Sequence, residues 1–146
     1  MEYRKKFGTY DFPDQFLEIE LEDIDVALYA PPSEKTEENF SNITVSYREN
    51  PYRQMEHKIF KNAILKQLKD KEKLFVDPQL SGFGKFVGKG IPMYQFEIKE
   101  SNGVVTRQCY LVGEKRHCLF QETTYEADPV MDQALENAVA SFQWGE

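Results

Sequence analysis

The residues able to do chemistry in this chain are few, and their spacing argues against most of it. Gly82, Gly84, Gly88 and Gly90, with Lys89 among them, invite comparison with a phosphate-cradling loop. Such a loop needs four residues between its first glycine and a Gly-Lys pair, then Ser or Thr. Here three residues separate Gly84 from Gly88-Lys89, and Gly90 follows the lysine. The dinucleotide pattern GxGxxG fails too, since Val87 stands at its third glycine. The glycines read instead as a twisted or bulged strand that another element approaches closely. His57 and His117 are the only histidines, and neither sits in a pattern that would supply the three or four ligands of a zinc site. No G-x-S-x-G elbow is present. Glu18, Glu20, Glu22, Asp23 and Asp25 lack the register and central glycine of a calcium loop, and read as a solvated strand face. No catalytic group, metal, nucleotide or other cofactor is expected.

Cys109 and Cys118 have no CxxC partner. A turn centred on Gly113-Glu114 would set them opposite each other, where a disulfide could form. In a reducing compartment they are two small apolar residues buried in a sheet.

One set of residues points to binding. Pro92–Lys99 alternates Tyr94, Phe96 and Ile98 with Gln95, Glu97 and Lys99. Asn102-Gly103 is a strong hairpin signal. Val104–Val112 and Arg116–Thr124 follow as further strands. Counting back from each turn puts Phe96 beside Cys109 and Cys109 beside Cys118. Tyr94, Phe96, Ile98, Cys109, Leu111, Cys118 and Phe120 then share one face. The opposite face carries Gln95, Tyr110 and His117 in one row, and Glu97, Gln108 and Leu119 in the next. Gln95, Gln108, Tyr110, His117 and Leu119 make that face neither cleanly polar nor cleanly apolar. Amides can bond exposed backbone while tyrosine and leucine supply buried area, so these five residues are the expected partner-binding surface. The plainer reading is partial exposure at a sheet margin.

The elements that must position this face begin with strands at Phe7–Phe12, Phe16–Leu21, Val26–Tyr29 and Asn42–Arg48, the second with clean two-residue alternation. Pro31–Asn39 reads as an exposed loop. From Tyr52, the residues Met55, Ile59, Ala63, Ile64 and Leu68 recur at helical spacing, which predicts an amphipathic helix of about five turns. Lys73–Val76 and Gly82–Val87 read as strand. Asp128 is a good N-cap and Pro129 suits the first helical position. Met131, Leu135, Ala138, Val139 and Phe142 then give a closing helix one apolar face. Two such helices can cover both faces of a twisted antiparallel sheet, so the expected fold is α+β, an α/β/α sandwich forming a single domain over residues 1–146.

The 146 residues carry a net charge of −7 with 40% apolar and 14% aromatic content. That is enough for one packed core. The acidic balance argues against nucleic acid and anionic membrane surfaces as partners. No apolar run is long enough for a secretory leader or a membrane span, so a cytoplasmic location without membrane insertion is expected, unless a leader has been removed. Asn42-Ile43-Thr44 fits a glycosylation acceptor but has no meaning without secretion.

The aromatic strand of Phe7–Phe16 ending at Pro13-Asp14, Val26-Ala27-Leu28-Tyr29, Tyr110-Leu111-Val112 with its Gly turn, and Ser141-Phe142-Gln143-Trp144 together resemble the PsbP/Mog-like superfamily, nearest to its bacterial DcrB-type branch. Members serve photosystem II in the thylakoid lumen, bind the GTPase Ran in the nucleus, or are secreted lipoproteins. The cytoplasmic bacterial members include Eag-type accessory chaperones, which shield transmembrane segments of type VI secretion effectors. The resemblance implies a non-enzymatic binding protein whose partner is a protein or an apolar helix of an effector. The alternative it leaves is a regulator or immunity-type protein binding a folded partner. A homodimer is compatible with either.

Overall fold

A computed structural model describes residues 1–21, 26–31, 41–49, 57–75, 78–113 and 116–145. Strands β1 (Glu2–Lys5), β2 (Gly8–Asp11), β3 (Leu17–Glu20), β4 (Val26–Ala30) and β5 (Asn42–Glu49) come first. Helix α1 (His57–Asp70) and a short 3-10 turn (Glu72–Leu74) follow. Then come β6 (Gln79–Val87), β7 (Ile91–Lys99), β8 (Val105–Val112), β9 (Arg116–Thr124), helix α2 (Pro129–Ser141) and β10 (Gln143–Trp144). The expected strand at Lys73–Val76 is therefore partly 3-10 turn, and basic Glu2–Lys5 is a strand that alternation did not reveal. The Pro31–Asn39 loop, apart from Pro31 itself, lies outside the described residues, as do the Asp23 and Asp25 turn and the Tyr52–Met55 start of the helix.

Seven strands form one antiparallel sheet in the order β3-β4-β5-β9-β8-β7-β6, and β1-β2-β10 form a second, smaller sheet. This corrects the expected α/β/α sandwich. Among the described residues strand far outweighs helix, and there are two α-helices. The reason is that the first face of the large sheet is not covered by a helix alone. Helix α2 shares it with the small sheet, whose Phe7 and Tyr10 join Phe12, Phe16, Tyr29, Phe120 and Phe142 in one cluster. On the second face, α1 contributes Ile64 and Leu68 to a smaller cluster with Phe96, Ile98, Tyr110 and Val112.

Local signals explain the closing helix. Asp128 Oδ1 accepts from the Met131 N–H at 3.1 Å, and Pro129 opens the first turn. Met131, Ala134, Leu135, Ala138 and Val139 are buried along one side. Phe142 is 1% exposed and meets Phe120 edge-on at 5.8 Å. Trp144 then pairs with Gly8 in the small sheet. A Cβ on Gly8 would lie 2.5 Å from the Gln143 carbonyl oxygen, so the closing strand can seat only against glycine.

The two hairpins depart from expectation in ways that matter for the site. Asn102-Gly103 does not form a two-residue loop. Glu100 N–H donates to Val104 C=O at 2.9 Å and Gly103 has φ +95°, so Ser101-Asn102-Gly103 makes a three-residue loop with its glycine left-handed. Adding that one residue flips β7 relative to β8. Gln95 pairs with Cys109, and Phe96 with Gln108. The next turn closes by Gly113 N–H donating to Arg116 C=O at 2.8 Å, two positions along from the expected count in the pairing. Cys109 therefore faces Phe120 and Cys118 faces Leu111. The faces of β8 and β9 survive that shift; the Cys109–Cys118 pairing does not, and both thiols are free and buried.

Candidate functional site

Four of the five expected binding residues lie together on the second face. Tyr110 stands opposite Leu119, His117 opposite Val112, and Gln108 opposite Gln121. Gln95 is the exception and must be withdrawn from this surface. The three-residue loop sends it to the first face, where its Oε1 accepts a weak bond from the Cys109 thiol at 3.7 Å. Tyr94 and Phe96 take the places expected for Gln95 and Glu97 in the rows.

The second face is graded. At its centre Phe96 is fully buried and Tyr110 is nearly so, with their rings edge-on at 5.9 Å. Burial pushes the Tyr110 hydroxyl up to about 12. Toward β9 and β5 the residues are half-buried: Leu119, His117, Gln108, Gln121 and Ser46. The His117 ring meets Tyr110 at 5.4 Å, and burial, then nearby Arg48, pushes its pKa down to about 4. His117 is thus neutral at physiological pH and offers a flat aromatic edge rather than a charge. Gln108 Nε2 donates to Gln121 Oε1 at 3.0 Å, while Gln108 Oε1 has no hydrogen-bond partner among the described residues. An unpaired acceptor of this kind costs about 1–3 kcal/mol until something donates to it.

The first face holds a polar cluster that the sequence reading missed. Glu97, Arg107 and Glu122 stand in one row across three adjacent strands. Arg107 Nε donates to Glu97 Oε2 at 2.9 Å and its Nη1 to Glu122 Oε1 at 2.8 Å, and it also bonds Asp132 of α2. Burial works against the Arg107 charge, yet its bonds to Glu122 and Glu97 raise its pKa above the ordinary value. Glu122 is fully buried, and burial pushes it up to about 7 against the pull of Arg107. A signal for this cluster existed. Arg107 and Glu122 occupy the same alternation as Cys109, Cys118 and Phe120, where a charge must find a partner.

Beside the cluster, a cleft of about 490 Å³ opens between α2 and β6–β8, with Lys85, Gln95, Arg107, Cys109, Asp132 and Glu136 along its walls. Cys109 is the nucleophile nearest to it. Burial pushes its thiol up to about 12, so it stays protonated and unreactive at neutral pH. The cluster's chemistry is a clamp: one guanidinium ties α2 to three strands. Among the described residues, no group of three or more His, Cys, Asp or Glu side chains is arranged to hold a metal ion.

This architecture can be compared with solved structures. Over 99% of its length the chain superposes on 91% of cyanobacterial PsbP (CyanoP) from Synechocystis sp. PCC 6803, with a TM-score of 0.69 and 12% identity. The fold is PsbP-like. A protein of Bacteroides thetaiotaomicron VPI-5482 matches 96% of the chain at TM-score 0.53 and 13% identity, the chain spanning 46% of that protein. At such identities the likeness concerns the fold alone. No protein-family model and no curated protein matches the sequence. Among the described residues, no helix is long and apolar enough to cross a membrane.

Proposed function

We propose that this PsbP-like chain is a non-enzymatic cytoplasmic binding protein, an accessory chaperone of the DcrB-type branch that holds an apolar helix of a secreted effector. The observation that carries the reading is the gradient on the second face. Buried Tyr110 and Phe96 pass into half-buried Leu119, His117 and Gln108 across the adjacent strands β7, β8 and β9. Leu119 supplies apolar area at about 25 cal/mol per Å² removed from water. The amides of Gln108 and Gln121 can bond small polar groups on the guest, and neutral His117 adds no charge to desolvate. Two free buried thiols suit a reducing compartment.

The test is co-expression with a candidate effector segment bearing an apolar helix. Replacing Gln108 and Leu119 by Lys should abolish co-purification and leave the melting temperature nearly unchanged. Retained binding by a folded double mutant sinks the proposal. Unfolding of the double mutant would show instead that this margin is core, and would move the binding surface elsewhere.

A further inference from the structure

The large sheet ends at β6, whose outer edge has no strand beside it among the described residues. Sheet edges are normally kept short, charged or covered, because unpaired N–H and C=O groups recruit another strand. The opposite edge follows that rule: β3 has four residues, and Glu18 within it is ion-paired to Lys5 at 2.9 Å. Strand β6 does not. It runs nine residues, Gln79-Leu80-Ser81-Gly82-Phe83-Gly84-Lys85-Phe86-Val87, with one charge. Phe83 is 47% exposed and Phe86 is 72% exposed, on opposite faces of the strand. The glycines are explained from inside. A Cβ on Gly82 would come within 2.8 Å of the Phe96 ring, and one on Gly84 within 2.9 Å of the Tyr94 ring. The two phenylalanines have no such internal explanation.

We propose that β6 is a homodimer interface, in which two copies pair β6 antiparallel about a twofold axis at Phe83 and join their large sheets. Under that symmetry a residue and its mate on the other copy must suit each other reciprocally. Centring on Phe83 engages the whole strand. Phe83 then faces Phe83 of the second copy, and Gly82 faces Gly84. Phe86 faces Leu80, Lys85 faces Ser81, and Val87 faces Gln79. Large apolar meets large apolar, small meets small, and the single charge meets a hydroxyl. Moving the axis to Lys85 would set two lysines directly opposite, which is repulsive, and would leave half of the strand unpaired. The near-palindromic pattern of β6 is what selects a second copy over an unrelated strand. This interface is separate from the surface proposed for the guest helix.

Cysteine cross-linking reads the register directly. Residues directly opposite in an antiparallel pair have Cα atoms about 4.5–5.5 Å apart, within disulfide reach. Phe83→Cys alone should give a disulfide-linked dimer under mild oxidation. Phe86→Cys alone should not, but mixed with Leu80→Cys it should. The native thiols are buried and will stay out of the reaction. Sedimentation of the unmodified chain should give twice its 17.1 kDa mass, falling by half for Phe83→Lys with an unchanged circular dichroism spectrum. A monomeric unmodified chain overturns the proposal and leaves the edge to a strand of another protein. Cross-linking of Phe86→Cys as readily as Phe83→Cys overturns it as well. Co-purification of a guest helix would be unaffected by Phe83→Lys, so this failure and failure of the chaperone reading are distinguishable.

Discussion

The two faces of the large sheet are built from the same strands to different standards. Apart from the cleft beside Arg107, the first is packed from two directions, by α2 and by the small sheet. Tyr10, Phe12, Tyr29, Phe120 and Phe142 interlock ring against ring, with Phe12 stacked on Tyr29 at 4.3 Å. Two of its hydroxyls are paired inward: those of Tyr10 and Tyr29 lie 2.5 Å apart, and Tyr29 donates to Glu18 at 2.6 Å. The cluster on the second face has six buried members among the described residues, two of them from α1, and a margin of partly buried ones. The first face therefore carries the stability, which leaves the second free to hold less tightly packed contacts. A binding surface needs that freedom, since its residues must tolerate both a solvated and an occupied state.

The sharpest way to break this comparison is to damage the first face at its centre. Phe142→Ala should cost about 3–5 kcal/mol, because the ring is 1% exposed and sits edge-on to both Phe120 and Trp144. Urea denaturation checks this, and an unchanged midpoint would mean the closing helix is peripheral. Next in size is Arg107→Ala, which removes the cation that three carboxylates share and leaves buried Glu122 without one. Breaking a buried pair costs about 3–5 kcal/mol, and the 24% exposure of Arg107 brings the expectation down to about 2–3 kcal/mol. Adding Glu122→Gln to that variant should recover part of the loss.

The pH dependence sharpens the contrast between the faces, because each buries one titrating group of opposite sign. Glu122 on the first face has its pKa raised from 4.5 to about 7. The folded chain thus binds the extra proton, and stability falls as pH rises from about 4.5 through about 7. His117 on the second face has its pKa lowered from 6.5 to about 4. There the unfolded chain binds the extra proton, and stability is lost as pH falls from about 6.5 toward about 4. The two oppose each other in the overlap. Glu122→Gln should remove the decline toward pH 7 while leaving the acid limb, as thermal melts across that range would show. A decline that persists in the variant would place the proton elsewhere. The smallest effect belongs to the second face: Leu119→Lys should change stability by about 1 kcal/mol or less, since the position is half-buried. A loss matching that of Phe142→Ala would erase the distinction between the faces.

How far these faces could be read in advance varies with the range of the signal. The Asp128 cap, the Pro129 start and the apolar stripe to Phe142 are local, and each is where the residues indicate. The hairpin at Asn102 shows the limit. Asn-Gly tolerates both a two-residue and a three-residue loop, and the difference is one residue of register. That residue decides whether Gln95 or Phe96 shares a face with Gln108, so one ambiguous turn moves one of the five expected binding residues to the other face. The turn after Val112 shifts the pairing by two positions, an amount that preserves alternation, and Tyr110, His117 and Leu119 stay together. The second sheet was invisible for a different reason. Glu2–Lys5 is polar, and its hairpin with Gly8–Asp11 acquires an apolar role only once Gln143-Trp144 arrives from the far end of the chain. Arg107 and Glu122 are legible as charges at core-facing positions, while Glu97 joins their row only through the three-residue loop.

That far-end arrival has a consequence for time rather than for energy. The Asp11 N–H bonds Ser141 Oγ across 130 residues, and the Phe7 carbonyl accepts from the Gly145 N–H. During synthesis the hairpin of β1 and β2 emerges well before β10, the strand that completes its sheet, since the chain grows at about 5–20 residues per second. For those seconds Phe7, Tyr10, Phe12 and Phe16 have no finished core to enter. Folding of the first face must wait for α2 and β10, and a nascent chain stalled before α2 should be far more protease-sensitive than one in which β10 has emerged.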